Sequence, residues 1–284
     1  MEWVGADLSN SRFQPAGMAG LTRDQVPLLR LKWAFGFLGR PAAVAQPTIV
    51  GGLVFVGGGD REVYALDAKS GCTRWTFKTE AVVRTAISFA PIAGTDQFAV
   101  LFGDLRANAY AVNAITGALV WKTKVEDHPA ALITGAPILY SGILYVPVSS
   151  MEEVTGSPSA YQCCTFRGSV VALDIATGKQ IWKSYTIPEA PRPTKQNAVG
   201  TQLYGPSGAA VWSPFSARAR PAAVKSTSTR RLSQFRERIS LLPSEGASSR
   251  PLSVALPGQF FLPPCPLDTA RATRAGERSL VSSD

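Results

Sequence analysis

The feature that most constrains this 284-residue chain is a hairpin that recurs three times without a gap: VYALDAKSGCTRW at 63–75, AYAVNAITGALVW at 109–121 and VVALDIATGKQIW at 170–182. Each copy reads as a strand with alternating inward residues (Tyr64, Leu66), a turn (Asp67-Ala68-Lys69-Ser70-Gly71 in the first copy), and a second strand ending in Trp. Another apolar run precedes every hairpin, at Thr48 to Val56, Ala86 to Phe102 and Ala136 to Val148. Four short strands per unit follow. One twisted sheet of that size cannot bury both faces unless neighbouring sheets stack on it, so the pattern predicts an all-β propeller. Trp33, Trp75, Trp121 and Trp182 fall 42, 46 and 61 residues apart, the last interval holding an insertion between Ser149 and Gly168. Propeller insertions leave the blade ends, where ligands bind. The repeated Trp, Gly and Asp read as structural: Trp wedges between blades, Gly takes a left-handed turn position, and Asp caps the turn.

The pattern stops in mid-blade after 205–213, so about three to four blades are expected over residues 1–213. Residues 214–284 contain no Trp or Tyr, 12 Ser, 8 Pro, and 10 Arg against a single Lys. Such a stretch cannot bury enough apolar surface to offset chain entropy, and a disordered C-terminal tail is expected there, with the composition of an out-of-frame reading of a GC-rich gene. Of the net charge of +9, residues 1–213 supply 18 basic and 15 acidic side chains and the tail 11 and 5. The basic balance therefore belongs mostly to the tail, and no nucleic-acid partner is expected, since the tail lacks interleaved Tyr and Trp. No apolar stretch approaches the about 20 residues of a membrane span. The opening Met1-Glu2-Trp3-Val4-Gly5 reads as lacking an export signal. The cysteines at 72, 163, 164 and 265 fit neither a zinc ribbon nor a multiply bridged scaffold. His128 is the only histidine, and no Cys-x-x-Cys-His occurs, so no c-type haem can be attached here.

The hairpin consensus Ala-Leu-Asp-x-x-Thr-Gly-x-x-x-Trp resembles the PQQ-type blade repeat of quinoprotein alcohol dehydrogenases, an eight-bladed propeller fold. The stretch Trp3-Val4-Gly5-Ala6-Asp7-Leu8-Ser9-Asn10-Ser11-Arg12-Phe13-Gln14 is similar to the opening strand of those propellers. Val83-Arg84-Thr85-Ala86-Ile87-Ser88, Asp127-His128-Pro129-Ala130 and 161–168 resemble the polyvinyl alcohol dehydrogenase branch. The resemblance covers about residues 3–213. It implies PQQ on the propeller axis beside a Ca²⁺ ion, a carboxylate base taking the alcohol proton as hydride passes to the quinone, and electrons leaving to an external acceptor such as cytochrome c. It also implies a periplasmic location and alcohols, secondary ones such as polyvinyl alcohol included, as substrates.

Residue by residue, the resemblance puts Ser150 in contact with PQQ and Glu153, three residues on, as a calcium ligand; a carboxylate suits a hard cation. An exposed acidic loop is the other reading of that stretch. Thr134 matches a PQQ-contacting Thr. Arg84 matches a guanidinium facing the cofactor's three carboxylates, against the alternative of a surface ion pair. Trp212 matches the Trp on which the flat cofactor stacks, or is one more blade-packing Trp. Cys163 and Cys164 either form a vicinal disulfide over the site or stay as reduced thiols, and Arg167 is expected to face the axis with them. The family's catalytic Asp and the Asn completing its calcium site belong to later blades and have no counterpart here, so the chain alone is expected to be inactive. A non-catalytic propeller serving as a scaffold for protein interactions is the competing expectation.

Overall fold

A computed structural model describes Phe13, residues 16–37, 44–92, Thr95 and residues 97–213. The opening stretch before Phe13 and the expected tail at 214–284 lie outside the described residues. Three antiparallel blades, two of four strands and a third of five, follow one another along the chain. The first runs β1 (Thr48–Val50), β2 (Leu53–Gly57), β3 (Glu62–Asp67) and β4 (Thr73–Lys78); the second runs β5 (Ser88–Pro91), β6 (Phe98–Gly103), β7 (Asn108–Asn113) and β8 (Leu119–Lys124). In the third, a short strand β9 (Ala131–Leu132) joins β10 (Ile138–Tyr140), β11 (Ile143–Ser150), β12 (Ser169–Asp174) and β13 (Gln180–Tyr185) by pairing with the end of β11. A separate hairpin, β14 (Arg192–Gln196) and β15 (Gln202–Gly205), follows. Helical pieces are short: α1 (Ala16–Ala19), a 3₁₀ turn at Arg23–Leu28, and α2 (Glu152–Thr155) inside the insertion. No sheet closes on itself among the described residues. The chain thus forms an open run of propeller blades.

The middle strands are buried on both faces, as stacking requires: β2, β6 and β7 are buried throughout or nearly so, whereas β4 and β8 alternate. One core lies between the first two blades, with Phe55, Val63 and Trp75 against Ile87, Phe102 and Tyr110. The next joins Leu101, Ala111 and Trp121 to Ile133, Leu144 and Val171.

A single joint repeats at each blade boundary. The indole N–H of Trp33 donates to Ala68 O at 3.1 Å, that of Trp75 to Ala114 O at 3.0 Å, and that of Trp121 to Ile175 O at 2.8 Å. Each acceptor sits in the hairpin turn of the next blade. The same turns carry Gly71, Gly117 and Gly178 at φ +75°, +73° and +69°, and a Cβ there would stand 2.7, 2.9 and 2.6 Å from the arriving indole ring. Glycine is needed twice over, for the left-handed backbone and for the approach of the ring. The turn itself is tied by Asp67, Asn113 and Asp174. Asp67 Oδ1 accepts from the N–H groups of Lys69 and Ser70, Asn113 Oδ1 from those of Ile115 and Thr116, and Asp174 Oδ1 from those of Ala176 and Thr177.

These joints predict that Trp121→Ala lowers unfolding stability by about 3–5 kcal/mol in denaturant titrations. Gly178→Val, which strains the turn and blocks the ring, is expected to be as harmful although it adds apolar surface.

The turn carboxylates also make stability depend on pH. The Arg74 guanidinium, followed by the Ser70 N–H, holds Asp67 well below the usual carboxylate range, and the Thr177 hydroxyl and N–H lower Asp174. Because the folded values are depressed, their contribution is complete above about pH 4 and is lost as pH falls below it. Melting temperature is expected to drop on acidification below about pH 4 and to drop less in Asp67→Asn, since Asn113 shows that an amide serves the turn without titrating.

Candidate functional site

The site is built where each blade begins. Val83 lies against Gly57, the last residue of β2, and Ile133 lies against Gly103, the last residue of β6, each glycine leaving no room for a Cβ. The N–H of Ile133 donates to Asp104 O at 3.1 Å and that of Val211 to Val148 O at 3.1 Å. Gly103 pairs with Ala109 and Pro147 with Val170, which are matching positions of the repeat, so Asp104 and Val148 are equivalent. Val83, Ile133 and Val211 therefore occupy one place in three successive blades. The residue after each is Arg84, Thr134 or Trp212. Three of the residues singled out in the sequence thus stand at a single repeated position at the same end of the blades, and equivalent positions of successive blades circle the propeller axis.

Each is available to a ligand in a different way. Arg84 is exposed and makes no hydrogen bond or ion pair with the described residues. The surface-pair alternative finds no partner there. Thr134 is half-buried, with Oγ1 2.9 Å from Ser149 Oγ and donating to Trp212 O at 3.3 Å. Trp212 keeps 40% of its surface exposed.

The stretch 149–153 differs from the register expected for it. The spacing Ser-x-x-Glu occurs twice in overlap, as Ser149-x-x-Glu152 and as Ser150-x-x-Glu153. Ser149 is the serine that meets Thr134, because it shares a strand face with Pro147, which packs against Gly135. Ser150 instead accepts the Glu152 N–H at 3.0 Å and starts α2. Glu152 is 2% exposed, and Glu153 is on the outer face of α2 with no partner among the described residues. Both serines are buried, but Ser149 is the one that meets Thr134, and of the two glutamates Glu152 is the buried one. Pairing of β9 with β11 fixes the choice of serine, and one residue of slip would exchange the two.

Glu152 ties the insertion to the blade. Its Oε1 accepts from the Thr165 N–H at 2.8 Å and from the Tyr161 hydroxyl at 3.2 Å, and its Oε2 from the Phe166 N–H at 2.8 Å. Burial and the nearby Glu152 raise the Tyr161 phenol above its usual range. Cys163 and Cys164 are joined to each other and pack on Gly156 at the end of α2, where a Cβ would stand 2.9 Å from Cys163 Sγ. The Tyr204 N–H donates to Cys163 O at 2.7 Å and Asn197 Nδ2 to Ser159 O at 2.7 Å, so the β14–β15 hairpin braces the insertion. Arg167 does not join this group. Its Nη1 donates to Ile187 O and Pro188 O at 3.2 and 2.9 Å, and its guanidinium lies 3.8 Å from the centre of the Tyr185 ring. Two carbonyls and an aromatic face satisfy that cation beside Tyr185, the last residue of β13.

The groups present suit a flat, multiply anionic, oxygen-rich ligand: an exposed guanidinium, the half-buried Thr134 hydroxyl and an exposed indole. They suit a hard cation in part. Glu152 Oε2 accepts one hydrogen bond and retains a lone pair, whereas Ca²⁺ takes about 6–8 oxygens. No cluster of three or more His, Cys, Asp or Glu side chains occurs among the described residues.

Known proteins place this architecture. A family model described as outer membrane protein assembly factor BamB, of the PQQ repeat class, matches residues 30–163. A solved structure of quinohemoprotein alcohol dehydrogenase from Comamonas testosteroni shares the fold with a TM-score of 0.53 at 22% identity, covering 66% of this chain and 27% of that one. The chain is a relative of the quinoprotein alcohol dehydrogenases, built on their PQQ-type propeller repeat. Within that group it is 40% identical over 211 residues to the polyvinylalcohol dehydrogenase of a Pseudomonas species, covering 74% of this chain and 32% of the relative. It is also 41% identical over 217 residues to the enzyme of the same name from Sphingopyxis sp. (strain 113P3), with the same coverage. The chain spans about a third of the length of these curated relatives.

The buried Glu152 predicts an unequal pair of substitutions. Glu152→Ala strands two backbone N–H groups and is expected to lower stability by about 1–3 kcal/mol and to open the insertion to proteolysis. Glu153→Ala, on the exposed face, is expected to stay within about 0.5 kcal/mol of the parent in the same denaturant titration.

Proposed function

We propose that these blades are part of a PQQ-dependent alcohol dehydrogenase. The observation carrying this reading is the single repeated position that brings Arg84, Thr134 and Trp212 to one end of successive blades beside the Thr134–Ser149 hydroxyl pair. PQQ, when bound, supplies the acceptor for the two electrons of alcohol oxidation. Arg84 would meet a cofactor carboxylate, the Thr134 hydroxyl, steadied by buried Ser149, would meet one of its oxygens, and Trp212 would support its ring. The Cys163–Cys164 disulfide would wall the site from the insertion. Glu152, rather than Glu153, would contribute to a Ca²⁺ site whose remaining ligands, like the catalytic base, come from other blades.

Electrons would leave to an external acceptor such as cytochrome c, which two relatives name in their own descriptions. Similarity to polyvinylalcohol dehydrogenases supports an alcohol substrate, secondary alcohols included, and a periplasmic setting. The propeller portion would be residues 1–213, with 214–284 outside it. The BamB description of the matching family model favours a second reading, a scaffold without cofactor.

Calorimetric titration of the full-length protein with PQQ separates the two. Saturable binding is expected, weakened roughly 10- to 100-fold by Arg84→Ala, together with alcohol-dependent dye reduction. Heat indistinguishable from dilution would favour the scaffold.

A further inference from the structure

His128, the only histidine, lies where three parts of the site meet. It stands in the turn before β9 and hence before Thr134, and its carbonyl accepts the Ala131 N–H at 2.9 Å. Across from it are α2, through Glu152, and the insertion, through Thr165 and Phe166. His128 Nε2 is 2.9 Å from Thr165 Oγ1 and 3.7 Å from Glu152 Oε1, and its ring meets Phe166 edge to face at 5.5 Å.

The bonds determine which nitrogen carries the hydrogen. The Ala130 N–H donates to Nδ1 at 3.2 Å, so Nδ1 is an acceptor and the neutral ring carries its hydrogen on Nε2. That N–H then donates to Thr165 Oγ1, leaving the threonine hydroxyl to donate to Glu152 Oε1 at 3.4 Å. A directed relay runs from the Ala130 backbone through His128 and Thr165 to the carboxylate.

We propose that His128 is a positioning residue: through Thr165 it orients the Glu152 carboxylate and holds the disulfide-bearing insertion against α2. The proposal deepens the PQQ and Ca²⁺ reading, on which its metal consequence rests, but its hydrogen-bond content stands on this chain alone. Phe166 gives the ring a packing surface, and Glu152 has donors enough without it, so neither burial nor charge balance requires an imidazole here. The two-sided use of its nitrogens does.

A lone histidine gives one pair of ring nitrogen signals in the ¹⁵N-histidine-labelled 284-residue chain, and these report the tautomer at mildly alkaline pH. The expected result is a single Nε2–H tautomer. Thr165→Val should keep that tautomer, which the Ala130 N–H sets, but shift the Nε2 signal and speed exchange of its hydrogen with water, and Thr165→Ser should restore both. A mixture or an Nδ1–H ring in the parent chain, or a Thr165→Val spectrum like the parent's, would overturn the relay.

In the full-length protein, His128→Phe keeps the ring packing and loses the relay, while His128→Gln retains a donor near the Nε2 position. Ca²⁺ affinity, read by titration with the metal alone, should fall about tenfold in His128→Phe and recover in His128→Gln. Equal affinities in all three would remove the positioning role even with the tautomer as expected. If the full-length parent bound no Ca²⁺ while the tautomer results held, the cofactor reading would fail and the relay would stand.

Discussion

The stacking of the described blades hangs on one contact, the face of a Trp ring seated on a glycine in the next blade's turn. A four-stranded sheet is too small to bury its own two faces. The indole solves the problem at its weakest place, the outer strand, by reaching across the gap with a hydrogen bond at its tip and its face flush with a backbone that has no side chain. The middle strands can then be apolar on both sides, and Leu101 and Phe102, neighbours on β6, serve two different cores. The ring of Trp33 docks on Gly71 in the same way, with its N–H on Ala68 O.

With the blades locked in step, what lies on them is placed by register alone. Thr48 donates from β1 to Ile87 O at 2.7 Å, and Ser88 makes the corresponding bond from β5 to Pro137 O, so the inner strands are tied at matching levels as the outer ones are. Buried Asp104 shows how a blade end is held rigid beneath the site: it accepts from the Tyr110 hydroxyl, from the Asn108 side chain and from two backbone N–H groups. Burial, together with that carboxylate, pushes the Tyr110 phenol above its usual range, so the hydroxyl stays a donor at any ordinary pH.

The fold was legible in the sequence because the joint leaves a mark at fixed spacing, with Trp, Gly and a turn acid recurring together. The site was legible to the extent that it follows the same spacing. Arg84, Thr134 and Trp212 could be singled out by resemblance, and the structure places them at one repeated position. What escaped was parity. Ser149 and Ser150 are adjacent and chemically identical, as are Glu152 and Glu153; strand pairing decides which serine meets Thr134, and the turn of α2 decides which glutamate is buried. Alternation along β11 carried the signal, since Ser149 is in step with Pro147 and not with the core residues Val146 and Val148. The carbonyl partners of Arg167 come from beyond β13, twenty residues away, and no local pattern announces them. His128 gave no signal beyond being single, because its partners lie on α2 and in the insertion.

The separation of the joint from the repeated position has a consequence for how such proteins change. A guanidinium, a hydroxyl and an indole occupy three copies of one address, and none of them touches the Trp and Gly that hold the blades together. Variation at that address leaves the frame intact, so the same arc of blades can be given a new set of ligand-facing groups one blade at a time. A lineage can thereby drift from catalysis to scaffolding, or between substrates, without passing through an unfolded ancestor.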